Sequence, residues 1–165
     1  MQTGQARKQW ANPGRHEAAG FTLVELLVTI IIVAILAALA APSFREFVAS
    51  QRVKTASFDV MSLLTLARSE AIKRNSSVTL GGVGSGSLQI TAGGVIIQQR
   101  ERLINLTLTC KSGGAEVDCT DVVYGGNGRL QAISPSIEIG SPASSQKSCI
   151  KIDPSGRPAS RQGAC

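Results

Sequence analysis

Aromatic side chains and charge are both scarce in this chain. Of its 165 residues only 4% are Phe, Trp or Tyr and 17% are charged, which points away from a disordered polyelectrolyte. There is one histidine, His16, and it stands near the N-terminus, far from all four cysteines (Cys110, Cys119, Cys149 and Cys165). None of the cysteines forms a CxxC pair, so the spacing is that of a poor zinc site. GxSxG, a P-loop and metal-spaced histidines are absent, and Gly82-Val-Gly84 is too short and wrongly placed for a dinucleotide fingerprint. These absences argue against an enzyme and against a bound cofactor.

What the chain has is basic charge, glycine and one long apolar run. Its net charge is +6 and its pI about 9.6, a balance that suits an anionic partner, either nucleic acid or a lipid surface, and serves solubility equally well. Residues 21–41 read FTLVELLVTIIIVAILAALAA. A helix crossing the hydrocarbon core needs about 20 mostly apolar residues, and this run supplies them. Arg7, Lys8 and Arg15 precede it against the single acid Glu17, so the positive-inside tendency holds the N-terminus in the cytoplasm and sends the rest outward. Ala38–Ala41 also resembles a secretory cleavage site, which leaves simple export as the competing reading.

The helical pattern outlasts the apolar run. Pro42 is expected to kink it. Ala56, Val60, Leu63, Leu64, Ala67 and Ala71 then recur at helical spacing on one face, predicting a single helix from about Phe21 to about Arg74, roughly 80 Å long. Arg68, Lys73 and Arg74 form a basic cluster near its end, where the helix dipole favours cations. After Asn75 short β-prone runs alternate with glycine turns: Val78–Leu80, Leu88–Ile90, Val95–Gln99, Leu103–Cys110, Val122–Tyr124, Leu130–Ile133, Ile137–Ile139 and Cys149–Ile152. Alternation at Ile104, Leu106, Leu108 and Cys110 predicts a strand with one buried face. Tyr124–Arg129 and Asp153–Arg157 each end a strand and turn in Gly-Arg. The class is α+β: a long N-terminal helix packed on a C-terminal, mostly antiparallel sheet or sandwich. Four cysteines allow three pairings, and Cys110–Cys119 with Cys149–Cys165 is favoured because each closes a short local loop.

Glu25 is the most informative residue. A carboxylate this deep in an apolar helix costs about 2.5 to 3.5 kcal/mol to insert, so a partner is required. Cutting after Gly20 would create a charged amine at Phe21, about one turn from Glu25 in the same helix and able to meet Glu25 of a neighbouring chain. Gly20-Phe-Thr-Leu-Val-Glu25, followed by the apolar run and Pro42, resembles the type IV prepilin cleavage motif. Leu66–Asn75, Val122–Leu130 and Ile150–Arg157 resemble segments of the GspH/FimT-type minor pilins and pseudopilins.

The resemblance implies the pilin fold, cleavage between Gly20 and Phe21 by the prepilin peptidase, N-methylation of Phe21, and packing of the apolar helices in a filament core with Glu25 and Pro42 serving assembly. It implies a leader at 1–20, a transmembrane and assembly helix at 21–41, the periplasmic half of the helix at 42–75 and a β-rich domain at 76–165. The chain would sit in the bacterial inner membrane, then in a pilus or pseudopilus that can reach the cell surface, with other pilins or pseudopilins as partners. Some FimT-type pilins bind DNA through a C-terminal Gly-Arg-x-Arg segment. Here Gly156-Arg157 matches its start and Arg161 follows two residues late. Lys147, Lys151, Arg157 and Arg161 against Asp153 give that tail a net +3, suited to the backbone of double-stranded DNA, while the lack of aromatics argues against base stacking. The function expected is that of a minor pilin that primes assembly and contacts DNA for natural transformation. The alternative is a GspH-type pseudopilin of a type II secretion system.

Overall fold

The computed structural model describes residues 20–101, 103–132 and 135–165. The expected leader before Gly20, with His16 and the basic residues of the N-terminus, lies outside the described residues. One helix, α1, runs from Leu23 to Arg74 and carries Pro42 in its interior. The chain divides into two units within this helix, after Leu39.

In the first unit the helix is exposed on every side. Its most apolar 18-residue window has a mean hydropathy of 2.9 and none of it is buried, so length and composition suit a membrane crossing.

In the second unit the helix becomes amphipathic. Val53, Ala56, Val60, Leu63, Leu64, Ala67 and Ala71 are buried, which includes every residue of the face expected from spacing. The helix ends at Asn75, whose φ of 47° turns the chain out of the α region. Asn75 N donates to Ile72 O at 3.2 Å and Ser76 N to Ala71 O at 3.2 Å, the paired bonds of a Schellman cap.

Two antiparallel sheets complete this core. The first has the order β3-β2-β1-β6, from Val95–Gln99, Gln89–Ala92, Val78–Gly81 and Val122–Tyr124. The second has the order β5-β4-β7-β8-β9, from Ala115–Val117, Thr107–Ser112, Ser136–Ser141, Ser144–Ile152 and Pro158–Gln162. Val78, Leu80, Ile90 and Tyr124 of the first sheet meet Ile137, Ile139 and Ile150 of the second in one cluster with the helix face. Cys110 is bonded to Cys119 and Cys149 to Cys165, at S–S distances of 2.05 and 2.15 Å, so both loops closed are local.

Three expectations change. The strand anticipated from Leu103 begins only at Thr107, because Asn105 takes a left-handed φ of 60° and breaks the extended chain. Ile104 accordingly points outward, 75% exposed, rather than into the core. Leu130 forms a single bridge to Tyr124 instead of opening a strand, while Ile133 lies outside the described residues. Strands β5 and β9 were not foreseen at all.

Candidate assembly segment and basic edge

The start of α1 is set by Thr22. Its hydroxyl accepts from Glu25 N at 3.2 Å and its carbonyl accepts from Leu26 N at 3.1 Å, so Thr22 caps the helix. Glu25 is thus the third helical residue, the place of the acid in a Thr-x-x-Glu capping box, where the helix dipole favours a negative charge. Among the described residues no cation lies within ion-pair distance of Glu25. Gly20 is exposed, and among the described residues a Cβ added there would meet nothing within 4 Å. Phe21 beside it is also exposed.

The basic tail is less uniform than its sequence suggests. Lys147 Nζ donates to Glu138 Oε1 at 2.8 Å and its charge is matched there. Glu138 is buried between β4 and β8, and its second oxygen accepts from Cys165 N at 2.9 Å. The Lys147 ammonium above all, and the Cys165 N–H after it, hold this carboxyl below the usual carboxylate range against the opposing effect of burial. Arg161 donates to Ala164 O at 3.2 Å, which orients its guanidinium without neutralising it. Lys151, Arg157 and Arg161 are exposed along the β8–β9 edge.

The two Gly-Arg turns have the same geometry. Gly125 N donates to Arg129 O at 2.9 Å and Gly128 N to Gly125 O at 2.8 Å, while Asp153 N donates to Arg157 O at 3.1 Å and Gly156 N to Asp153 O at 2.8 Å. Gly128 and Gly156 sit at φ values of 73° and 84°, and a Cβ at Gly156 would fall 2.2 Å from Gly128 O, so the turns stack without room for a side chain. Asp153 organises the second turn, accepting from Ser155 and from Arg157 N, and these bonds, the Ser155 hydroxyl first, lower its pKa.

Arg68 ties the pair together, donating from Nε to Gly128 O at 3.0 Å and from Nη2 to Ser155 O at 3.3 Å. It is therefore a clasp, whereas only Lys73 and Arg74 act as the expected end-of-helix cations, both within reach of Glu70. Sequence reasoning took Arg68 for a helix-end cation and missed Glu138. The repeated Gly-Arg endings were the available signal for the first. For the second it was an acid between two isoleucines, although alternation would have turned it to solvent.

The family described as type II transport protein GspH matches residues 56–160, and the prokaryotic N-terminal methylation motif matches residues 15–41. The chain belongs to the GspH family of type IV pilin-like proteins. Two crystal forms of the type IV minor pilin FimU of Pseudomonas aeruginosa share the fold of this GspH-family chain, with TM-scores of 0.53 and 0.54. They are 18% identical to it and cover 66% and 70% of it, and 91% and 92% of their own chains. Two fimbrial proteins of Pseudomonas aeruginosa are 39% identical over 54 residues, a match that spans 33% of this chain and only 35% of theirs. Proteins of the pilin type are structural subunits, and an N-terminal apolar helix of this kind anchors them in a membrane and in the filament.

Proposed function

We propose that this chain is a minor pilin, built into a type IV pilus or at its tip, where it primes assembly. The observation that carries this reading is the contrast along α1. An apolar window with none of its surface buried precedes a half whose apolar face is buried in its own domain. The first half needs an external apolar partner, lipid before assembly and other pilin helices afterwards.

Gly20 fits the same scheme, since nothing among the described residues crowds it and a peptidase cleft would favour a glycine there. Cleavage frees the Phe21 amine, N-methylation keeps it cationic, and Glu25 of a neighbour is the carboxylate that receives it. Pro42 stands where the helix leaves the bilayer, with the domain on the periplasmic side. The test is recovery of the chain in sheared, purified filaments with its N-terminus at methylated Phe21. A chain that stays in the membrane fraction, uncut, refutes the proposal.

Two further readings each have one observation behind them. The family's description as a type II transport protein favours a pseudopilin of a secretion system. Deleting the gene separates the two, since loss of pili follows from one and loss of secreted proteins from the other. The exposed Lys151, Arg157 and Arg161 favour contact with double-stranded DNA. Such contact would weaken steeply with salt and ignore sequence. Full-length protein in detergent, titrated with duplex DNA across salt beside a Lys151→Ala/Arg157→Ala variant, decides it.

A further inference from the structure

Just past the apolar run, α1 carries aromatic residues and arginines that its own core does not take up. Phe44 and Phe47 are 65% and 57% exposed, and Arg45 and Arg52, seven positions apart on one helix face, are exposed as well. A groove of about 410 Å³ runs along this stretch, with Phe44, Arg45 and Arg52 on one side and Asn105, Ser141 and Pro142 on the other. Arg52 also lines a second groove, of about 470 Å³, whose rim is apolar at Phe47, Ile104 and Leu106 and whose acid, Asp59, lies 3.9 Å from Arg100. Hydrogen bonds fix the walls. Ser141 Oγ donates to Asn105 O at 3.2 Å, and the Ser57 and Ser148 hydroxyls are bonded at 2.8 Å, which fastens α1 to β8. Glu46 accepts from Ser145 Oγ at 3.1 Å and does not line the first groove. That groove therefore holds two arginines and no carboxylate, and among the described residues neither arginine lies within ion-pair distance of an acid.

We infer that this groove seats the anionic headgroup of a phospholipid, its phosphate held by Arg45 and Arg52. Height along the helix fits. The apolar run ends at Ala41, and at 1.5 Å per residue Phe44 and Arg45 stand about 4 to 6 Å beyond it, within a headgroup layer about 5 to 7 Å thick. Arg52 starts higher, but side chains on a helix lean toward its N-terminus, here toward the bilayer. A guanidinium meets phosphate through paired N–H donors, and aromatic residues beside it suit the boundary between acyl chain and water. A soluble anion would use only half of this surface. The phosphate of a lipid arrives joined to apolar chains, and Phe44, Phe47 and Ile104 give those chains an apolar rim. The inference goes beyond the filament reading and rests only on the anchoring of α1 in a membrane, so it applies to the subunit before assembly in a pilus or a secretion system alike.

The experiment uses full-length protein in vesicles of phosphatidylcholine mixed with phosphatidylglycerol, with a photoreactive benzoylphenylalanine placed at Ala143, an exposed residue of the groove wall. After irradiation the mass of the adduct identifies what sat in the groove. Phosphatidylglycerol is expected, enriched well above its share of the membrane. Two cations near a membrane surface account for an enrichment that falls roughly tenfold in an Arg45→Gln/Arg52→Gln variant. An Arg45→Lys/Arg52→Lys variant keeps the charge and should keep most of the enrichment, losing only the paired donors. Both positions are exposed, and retained disulfides confirm that each variant folds. An adduct with a second copy of the chain, an adduct that follows the lipid mixture without preference, or equal enrichment in the glutamine variant would each overturn the inference. Flotation of the vesicles reads anchoring separately. A chain that does not float overturns the anchor and this inference together, whereas one that floats without preferring phosphatidylglycerol overturns this inference alone. No filament is needed, so absence of the chain from purified pili would refute the filament reading and leave the lipid result standing.

Discussion

Glu25 has two physical reasons to be an acid, and they can be separated. It completes a capping box with Thr22, and it is the charge that a neighbouring Phe21 amine would seek. Glutamine serves the cap but carries no charge. Glu25→Gln and Glu25→Ala are therefore expected to lose filament incorporation alike, with membrane insertion intact, as read by fractionation and immunoblot. Rescue by Gln alone would assign the residue to the cap. Tyr124 offers a second test at this scale. Its ring is fully buried, its hydroxyl has no hydrogen-bond partner among the described residues, and burial pushes its pKa up to about 12. The folded state therefore holds the phenol proton more tightly than the unfolded chain, and stability is lost as pH rises from about 10 toward 12. Tyr124→Phe should flatten that loss and cost nothing at neutral pH, gaining up to about 1 kcal/mol by removing an unpaired polar group. Urea unfolding at pH 7 and pH 11 measures both.

Among the elements, α1 was the most legible. Its later three- and four-residue spacing marked the face that packs on the sheets: all six residues expected there are buried, and Ala49, Val53 and Ser57 extend it. The strands were read where β-branched residues cluster, as at Val95–Gln99, and missed where they do not. Pro158-Ala-Ser-Arg-Gln162 has no β-branched or aromatic residue, and it is a strand because β8 offers it a ladder, from Ile152↔Pro158 to Ser148↔Gln162. An edge strand tolerates a proline at its first position and needs no apolar side. The Arg68 clasp was illegible for a related reason, since its partners lie 60 and 87 residues away and are backbone oxygens that any sequence supplies. Arg68→Ala should leave two turn carbonyls short of a charged donor and cost about 2 kcal/mol in thermal or urea unfolding. Arg68→Lys should recover less than half, because one ammonium cannot span two carbonyls as the guanidinium fork does.

For the molecule as a whole, the N-terminal methylation motif was legible in the sequence and is matched over residues 15–41, while the basic tail was legible only in part. The charges of the tail could be counted, but Glu138 lies outside that stretch and removes Lys147 from the balance. The same carboxylate makes folding sensitive to acid. With its folded pKa held low, its contribution is present above the unfolded value of about 4.3 and disappears as pH falls through the folded value. Wild-type protein should therefore lose more stability between about pH 5 and pH 3 than Glu138→Gln, with denaturant midpoints at each pH as the measurement.

The Ser57–Ser148 bond joins residues 91 positions apart, and the isoleucines that cover the same helix face, Ile137, Ile139 and Ile150, come equally late. A ribosome delivers the helix first. At about 5 to 20 residues per second its apolar face waits roughly 4 to 16 seconds for the strands that cover it. Throughout that interval a nascent chain anchored as proposed above would carry a second apolar surface with nothing of its own to cover it. Holding that surface apart from its neighbours until β8 emerges is a task for whatever meets the chain during synthesis, and the stability of the finished domain does nothing to relieve it.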